Sequence, residues 1–272
     1  MKLNLIKYFM AILVISGNSA CEEIIQLDIN NASPEITVEA NIAENEPAVV
    51  YVRKTASLDD VDDFPAVQGA VVVLSDNQGE SEQLSEIRPG VYKSLLLKGK
   101  TGKSYILNVK TEDKNITASD IMPGKVALDS FLVLNSVYPG GGRPTNGELA
   151  PFYEIMITFR DPVLLKNYYK VNVYVNDTIR DGNNIFDDQY NNGLQVTNNF
   201  VMYNENIRRG DTIHIEFMCI SKPVYGYFKS MGNASGGPRN SSSPANPYSN
   251  LSGSKLGYFS ANTIERKYFI VQ

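Results

Sequence analysis

Ile36-Thr37-Val38-Glu39-Ala40-Asn41-Ile42 alternates apolar and polar residues without a break, and this stretch decides the fold class. Successive side chains of a strand point to opposite faces, so Ile36, Val38, Ala40 and Ile42 form one apolar face. The pattern repeats downstream. Val50 and Val52 face inward on a second strand, and Ala70 to Leu74 is apolar on both faces. Asn77 to Gly79 turns the chain, Pro89-Gly90 introduces Val91 to Leu97, and Gly99 to Gly102 turns it again. Tyr105, Leu107 and Val109 share a face of the next strand, and Asp113-Lys114 precedes Ile116 to Ser119. Short strands at such spacing predict an all-β chain whose residues 34–122 form an immunoglobulin-like or prealbumin-like sandwich domain.

Met122-Pro123-Gly124 is the expected boundary to a second β-rich domain, 123–272. Its predicted strands are Val126 to Tyr138, Tyr153 to Phe159, Tyr168 to Val175, Phe200 to Tyr203, Thr212 to Ile220 and Ile264 to Val271. One short helix is expected near 222–232, because Pro223 suits a first helical turn and Val224, Phe228 and Met231 recur at helical spacing. Residues 232–254 read as a long loop rich in Gly, Ser, Asn and Pro, either ordered for function or mobile.

Lys2 and Lys7 begin a basic segment, Tyr8 to Ile15 is unbroken apolar sequence, and Ser16 to Ala20 is small or polar up to Cys21. A helix of that apolar run rises about 12 Å, far short of a bilayer's hydrocarbon core of about 30 Å. It is a signal segment in character. The Ser19-Ala20-Cys21 junction resembles the bacterial lipoprotein signal, although Asn18 stands where an aliphatic residue is usual. The resemblance implies cleavage after residue 20, a lipid on Cys21, and a tether over 21–33. An ordinary signal peptide cleaved near Ala20 is the alternative. Two acyl chains anchor a protein stably, so a lipidated Cys21 is expected to hold the chain permanently at a membrane. Glu22-Glu23 is similar to the surface-export signal of some Gram-negative lipoproteins.

With 25 basic and 30 acidic residues the net charge is −5, and no basic tract points to nucleic acid. If Cys21 is lipidated, Cys219 is the one remaining thiol, and its apolar neighbours make it a buried, inert one. His214, the only histidine, shares a strand face with Glu216 and reads as a half-exposed surface residue. Asp59, Asp60, Asp62 and Asp63 crowd one loop. Asp181, Asp187 and Asp188 crowd another with Asn183, Asn184, Asn191 and Asn192. Either cluster is a solvated surface or a weak calcium site, the second being the better candidate, and neither has EF-hand spacing. No other metal or cofactor is expected, and no Walker, dinucleotide or HExxH pattern is present. Tyr190, Tyr248 and Tyr258 lie among Ser, Asn and Gly, a composition that suits recognition by large rigid rings, or else core filling.

Phe159-Arg160-Asp161-Pro162, Asn167-Tyr168-Tyr169, Phe186-Asp187-Asp188-Gln189-Tyr190 with Gly193, and Arg209-Gly210-Asp211 follow in order. Asn246-Pro247-Tyr248-Ser249-Asn250 and Leu256-Gly257-Tyr258-Phe259-Ser260-Ala261 come next. With Cys21-Glu22-Glu23, Gly69-Ala70 and Pro89-Gly90-Val91-Tyr92, they resemble the bacterial lipoproteins grouped as domain of unknown function 4249. That resemblance implies a lipid-anchored protein of the outer membrane of a Gram-negative bacterium, encoded beside TonB-dependent receptors, and carries no enzymatic activity. The expectation is a non-enzymatic accessory or binding subunit of such a receptor. A surface hydrolase using a carboxylate pair and a free-standing adhesin or structural module are the alternatives.

Overall fold

Sixteen strands and one helix follow one another in the described residues of the computed structural model, which are 34–56, 64–137, 151–203, 207–234 and 246–272. The first half contains β1 (Ile36–Ala43), β2 (Pro47–Lys54), β3 (Val71–Asp76), β4 (Ser81–Gln83), β5 (Ser85–Arg88), β6 (Val91–Lys98), β7 (Ser104–Lys110) and β8 (Asn115–Ile121). The second contains β9 (Leu128–Val137), β10 (Pro151–Arg160), β11 (Tyr168–Val175), β12 (Thr178–Asp187), β13 (Gln195–Tyr203) and β14 (Thr212–Ile220). Then come α1 (Lys222–Ala234), β15 (Leu251–Ser252) and β16 (Leu256–Ile270). The chain is therefore all-β with one short helix.

An eight-stranded sheet, in the order β12-β11-β14-β16-β1-β2-β6-β5, runs through both halves. Its centre is β16, which pairs parallel with β1 through its first half and antiparallel with β14 through its second. The end of the chain is thus zipped onto its first described strand. Gly257 makes this approach possible: its φ is +103°, and a Cβ there would lie 2.0 Å from the Val38 carbonyl oxygen.

Two smaller sheets cover one face of the long one. The sheet β15-β8-β7-β3-β4 closes a first core in which Val38, Ile42 and Val50 meet Leu74, Leu107, Ile116 and Phe259. The sheet β13-β10-β9 closes a second, where Ile155, Ile157 and Phe159 meet Tyr169, Val171, Ile215 and Phe217. Phe259 and Ala261 serve the first core, and Phe269 packs on the second from the same face of β16. The expected division at residues 122–124 falls between these cores, yet residues 34–272 form one compact unit. Asp120 of β8 sits buried at the join, accepting the Ala261 amide at 2.7 Å.

Residues 178–187, expected as part of an Asp- and Asn-rich loop, form the edge strand β12, paired with β11 through two register shifts. The expected loop 232–254 is shorter in its described parts, since α1 extends to Ala234 and Leu251-Ser252 pairs with β8. Residues 235–245 lie outside the described set.

Candidate functional site

The opposite face of the long sheet carries polar and aromatic residues in register. Across β11, β14 and β16 the rows are Tyr174, His214 and Tyr268, then Asn172, Glu216 and Arg266, then Lys170, Met218 and Ile264. Across β16, β1 and β2 the pattern continues with Tyr258, Glu39 and Tyr51, then Leu256, Thr37 and Arg53. Helix α1 lies over the middle of this face. Its Val224, Tyr227 and Phe228 pack on Tyr168, Met218, Ile220 and Tyr258, as the helical spacing of the sequence requires. The Tyr258 ring is 4.8 Å from that of Tyr227 and 5.0 Å from that of Phe228.

To one side of the helix is a closed polar network. Arg266 Nε donates to Glu216 Oε1 at 2.9 Å, and its guanidinium also grips Glu46. Tyr174 Oη and Asn172 Nδ2 donate to Glu216 Oε2 at 2.7 and 3.2 Å. Burial alone would raise the Glu216 pKa, but these donors and the Arg266 charge hold it below the ordinary value. Burial, with the acceptor Glu216, pushes Tyr174 up to about 12. Lys170 donates to Asn172 Oδ1 and lies 4.7 Å over the Phe228 ring. A pocket of about 140 Å³ remains here, between Lys170, Phe228 and Arg266. Because its charges already answer one another, it is a structural network more than a vacant site.

On the other side lies a groove of about 220 Å³, lined by Glu39, Tyr51, Arg53, Phe64, Tyr227 and Pro247 among others. Arg53 sits 4.9 Å over the Tyr51 ring. Burial raises the pKa values of Tyr227 and Tyr258, and the Glu39 charge raises them further. The groove thus offers aromatic walls, one carboxylate, one guanidinium and the hydroxyls of Thr37 and Thr55. Among the described residues Glu39 is the only carboxylate in its lining.

The sequence-predicted residues scatter around this face. Tyr258 lies half-buried beneath α1, and Tyr248 is exposed beside it, its amide donating to Ser230 Oγ at 2.8 Å and its ring near Gly226. Tyr190 belongs to a different surface, the loop after β12, where it is 84 % exposed. Asp187 accepts the Gln189 amide at 3.1 Å. Asp188 is buried and accepts the Asn167 amide at 2.9 Å, a role inside the fold. The Asp181 side chain, Asp59, Asp60, Asp62, Asp63 and Cys21 lie outside the described residues. No group of three or more His, Cys, Asp or Glu placed to hold a metal ion occurs among the described residues.

His214 corrects an expectation: it is 7 % exposed, not half-exposed. The flanking strands place Tyr174 and Tyr268 on either side, with ring centroids 4.5 and 5.0 Å away, and together they cover it. Cys219 is buried, its Sγ 3.4 Å from the Val126 amide, and burial raises its pKa. Sequence reasoning missed Glu39, Tyr51 and Arg53. Their signal was present in the polar face of β1, Thr37, Glu39 and Asn41, once β2 is folded back against it.

No curated protein shows significant similarity to this sequence. The family model described as Domain of unknown function (DUF4249) matches residues 22–267. With nearly the whole chain matched, the protein belongs to the DUF4249 family.

Proposed function

We propose that the protein is a non-enzymatic, lipid-anchored outer-membrane lipoprotein that serves as an accessory or binding subunit of a TonB-dependent receptor. The lipoprotein part rests on the Lys2-to-Cys21 layout, with the acyl chains on Cys21 as anchor. The binding part rests on the groove, where Tyr51, Phe64 and Tyr227 surround one acid and one guanidinium. Such a lining suits stacking and hydrogen bonding better than acid–base chemistry on two carboxylates. Tyr248, at the rim through Pro247, extends the same surface.

The test is a mild-detergent pull-down of tagged protein from native membranes, read by mass spectrometry, with a Cys21→Ala control. A stoichiometric TonB-dependent barrel that disappears in the control is the expected result. Recovery of the lipidated protein alone would contradict the accessory role.

A further inference from the structure

The loop from Asp161 to Asn167, between β10 and β11, holds three consecutive apolar residues in water: Val163, Leu164 and Leu165 are 67, 91 and 69 % exposed. An apolar run this exposed is unusual on a soluble surface and calls for a covering partner. The loop is also built rather than slack. Asp161 Oδ2 accepts the Gly193 amide at 3.1 Å, the Asp161 amide donates to the Leu194 carbonyl at 2.9 Å, and Tyr169 Oη donates to the same carboxylate. Asn167 donates to the carbonyls of Pro162 and Leu165 at 3.4 and 2.9 Å, and its amide is held by Asp188. Gly193, at φ +76°, lets the second loop press against Val163; a Cβ there would lie 2.8 Å from Val163 Cγ2. The result is a knuckle of two stitched loops that also displays Tyr190 and Leu194, both exposed.

Its charges point to one kind of cover. Of the acids at these loops, Asp161 and Asp188 are only 2 and 4 % exposed and are spent on internal bonds, and the partly exposed Asp187 accepts the Gln189 amide. From Pro162 to Asn167 the sequence has no acid and one base, Lys166. An apolar tip, an adjacent lysine and a tyrosine are the ingredients of a segment that sits at the boundary of headgroups and acyl chains. Register adds a second observation. Tyr168 pairs with Ile220 and Cys219 with Thr263, so Tyr168 lies level with Asn262, whose β1 partner is Ala43. The knuckle leaves this row on the side toward which β1 runs back to Pro34. Cys21 is thirteen residues before Pro34, a length that spans at most about 45 Å.

We infer that the knuckle enters the interfacial layer of a lipid bilayer, Val163, Leu164 and Leu165 among the upper acyl segments and Lys166 at the headgroup phosphates. The inference rests on the lipid-anchored reading, for which it supplies a second, orienting contact.

The chain has no tryptophan, so one placed at the tip is a unique reporter. Leu164→Trp protein, extracted from membranes, is reconstituted into phosphatidylethanolamine/phosphatidylglycerol vesicles containing lipid brominated near the headgroup. Ile179→Trp, at the opposite end of the β11–β12 hairpin, is the control, and intact mass separately reports lipid on Cys21. The expected result is a blue-shifted, bromine-quenched emission from the tip reporter alone, abolished by adding Leu165→Asp. Lipidated protein whose tip reporter is no more quenched than the control reporter would overturn the knuckle and leave the anchor standing. Shielding of the tip reporter only when a barrel protein is added would overturn it in favour of a protein partner. Absence of lipid on Cys21 would instead defeat the anchored reading; quenching of the tip reporter in that protein would still support the knuckle.

Discussion

The two faces of the long sheet are made by the same strands and have opposite fates. On one, Phe217, Val171 and Phe259 disappear under the smaller sheets; on the other, Glu216, Asn172 and Tyr258 meet one helix, a polar network and a groove. Alternation sorts residues between faces, but the covering layer decides whether a face becomes core or stays open to solvent. Aromatic residues make the point. Tyr169 and Phe217 on the inner face are buried with ring centroids 4.9 Å from that of Phe159 in the covering sheet, whereas Tyr51 lines the open groove.

The two faces should respond very differently to truncation. Phe159→Ala should cost about 3–5 kcal/mol, seen as a large fall in the urea midpoint. A fall of under about 1 kcal/mol would mean that the second core is not packed around this ring.

Next in size is Asp120, at the join of the two cores. Burial, opposed by bonds from Ser221 and the Ala261 amide, raises its pKa to about 6, above the unfolded value near 3.8. The folded chain then holds this proton more tightly than the unfolded one. The associated stability is fully present below the unfolded value and is lost as pH rises through about 6. Wild type should therefore lose about 2.5 kcal/mol relative to Asp120→Asn between about pH 4 and pH 8. A pH-independent difference between the two urea midpoints would contradict a buried, proton-holding carboxyl.

On the outer face the sign reverses. Glu216 has a lowered pKa, so its contribution is present above the unfolded carboxylate value and is lost as pH falls through the folded one. Arg266→Ala leaves Glu216 and Glu46 facing each other without their shared cation and should cost about 1–2 kcal/mol at about pH 7, with less loss in acid. An equal loss at neutral and acid pH would show that packing of the Arg266 stem, and not its charge, is what matters. Smallest is Tyr51→Ala, expected to change stability by about 0.5 kcal/mol or less while removing a wall of the groove.

How much was legible follows from the same contrast. The inner face was readable because Ile36, Val38, Ala40 and Ile42, or Ile155, Ile157 and Phe159, repeat every second residue, and α1 was readable from Val224, Phe228 and Met231. The pairing of β16 with β1 was not, since Thr37↔Leu256 joins residues more than two hundred positions apart and no local pattern encodes it. That pairing brings Glu39 to Tyr258 and so builds the groove. β12 was hidden because Asp181, Gly182, Asn183 and Asn184 have turn-like composition; an edge strand with shifted register tolerates them. Of the tyrosines singled out by composition, Tyr248 and Tyr258 fall beside the groove and Tyr190 falls on the knuckle, because composition marks surface loops without saying which of them adjoin.

The most direct test of the outer face as the recognition surface is quantitative capture from native membranes by lipidated protein carrying Glu39→Ala and Tyr51→Ala, compared with wild type. If the proposed role holds, the double variant keeps a wild-type thermal midpoint and no longer captures an outer-membrane barrel. A folded variant that captures the partner as well as wild type would contradict it.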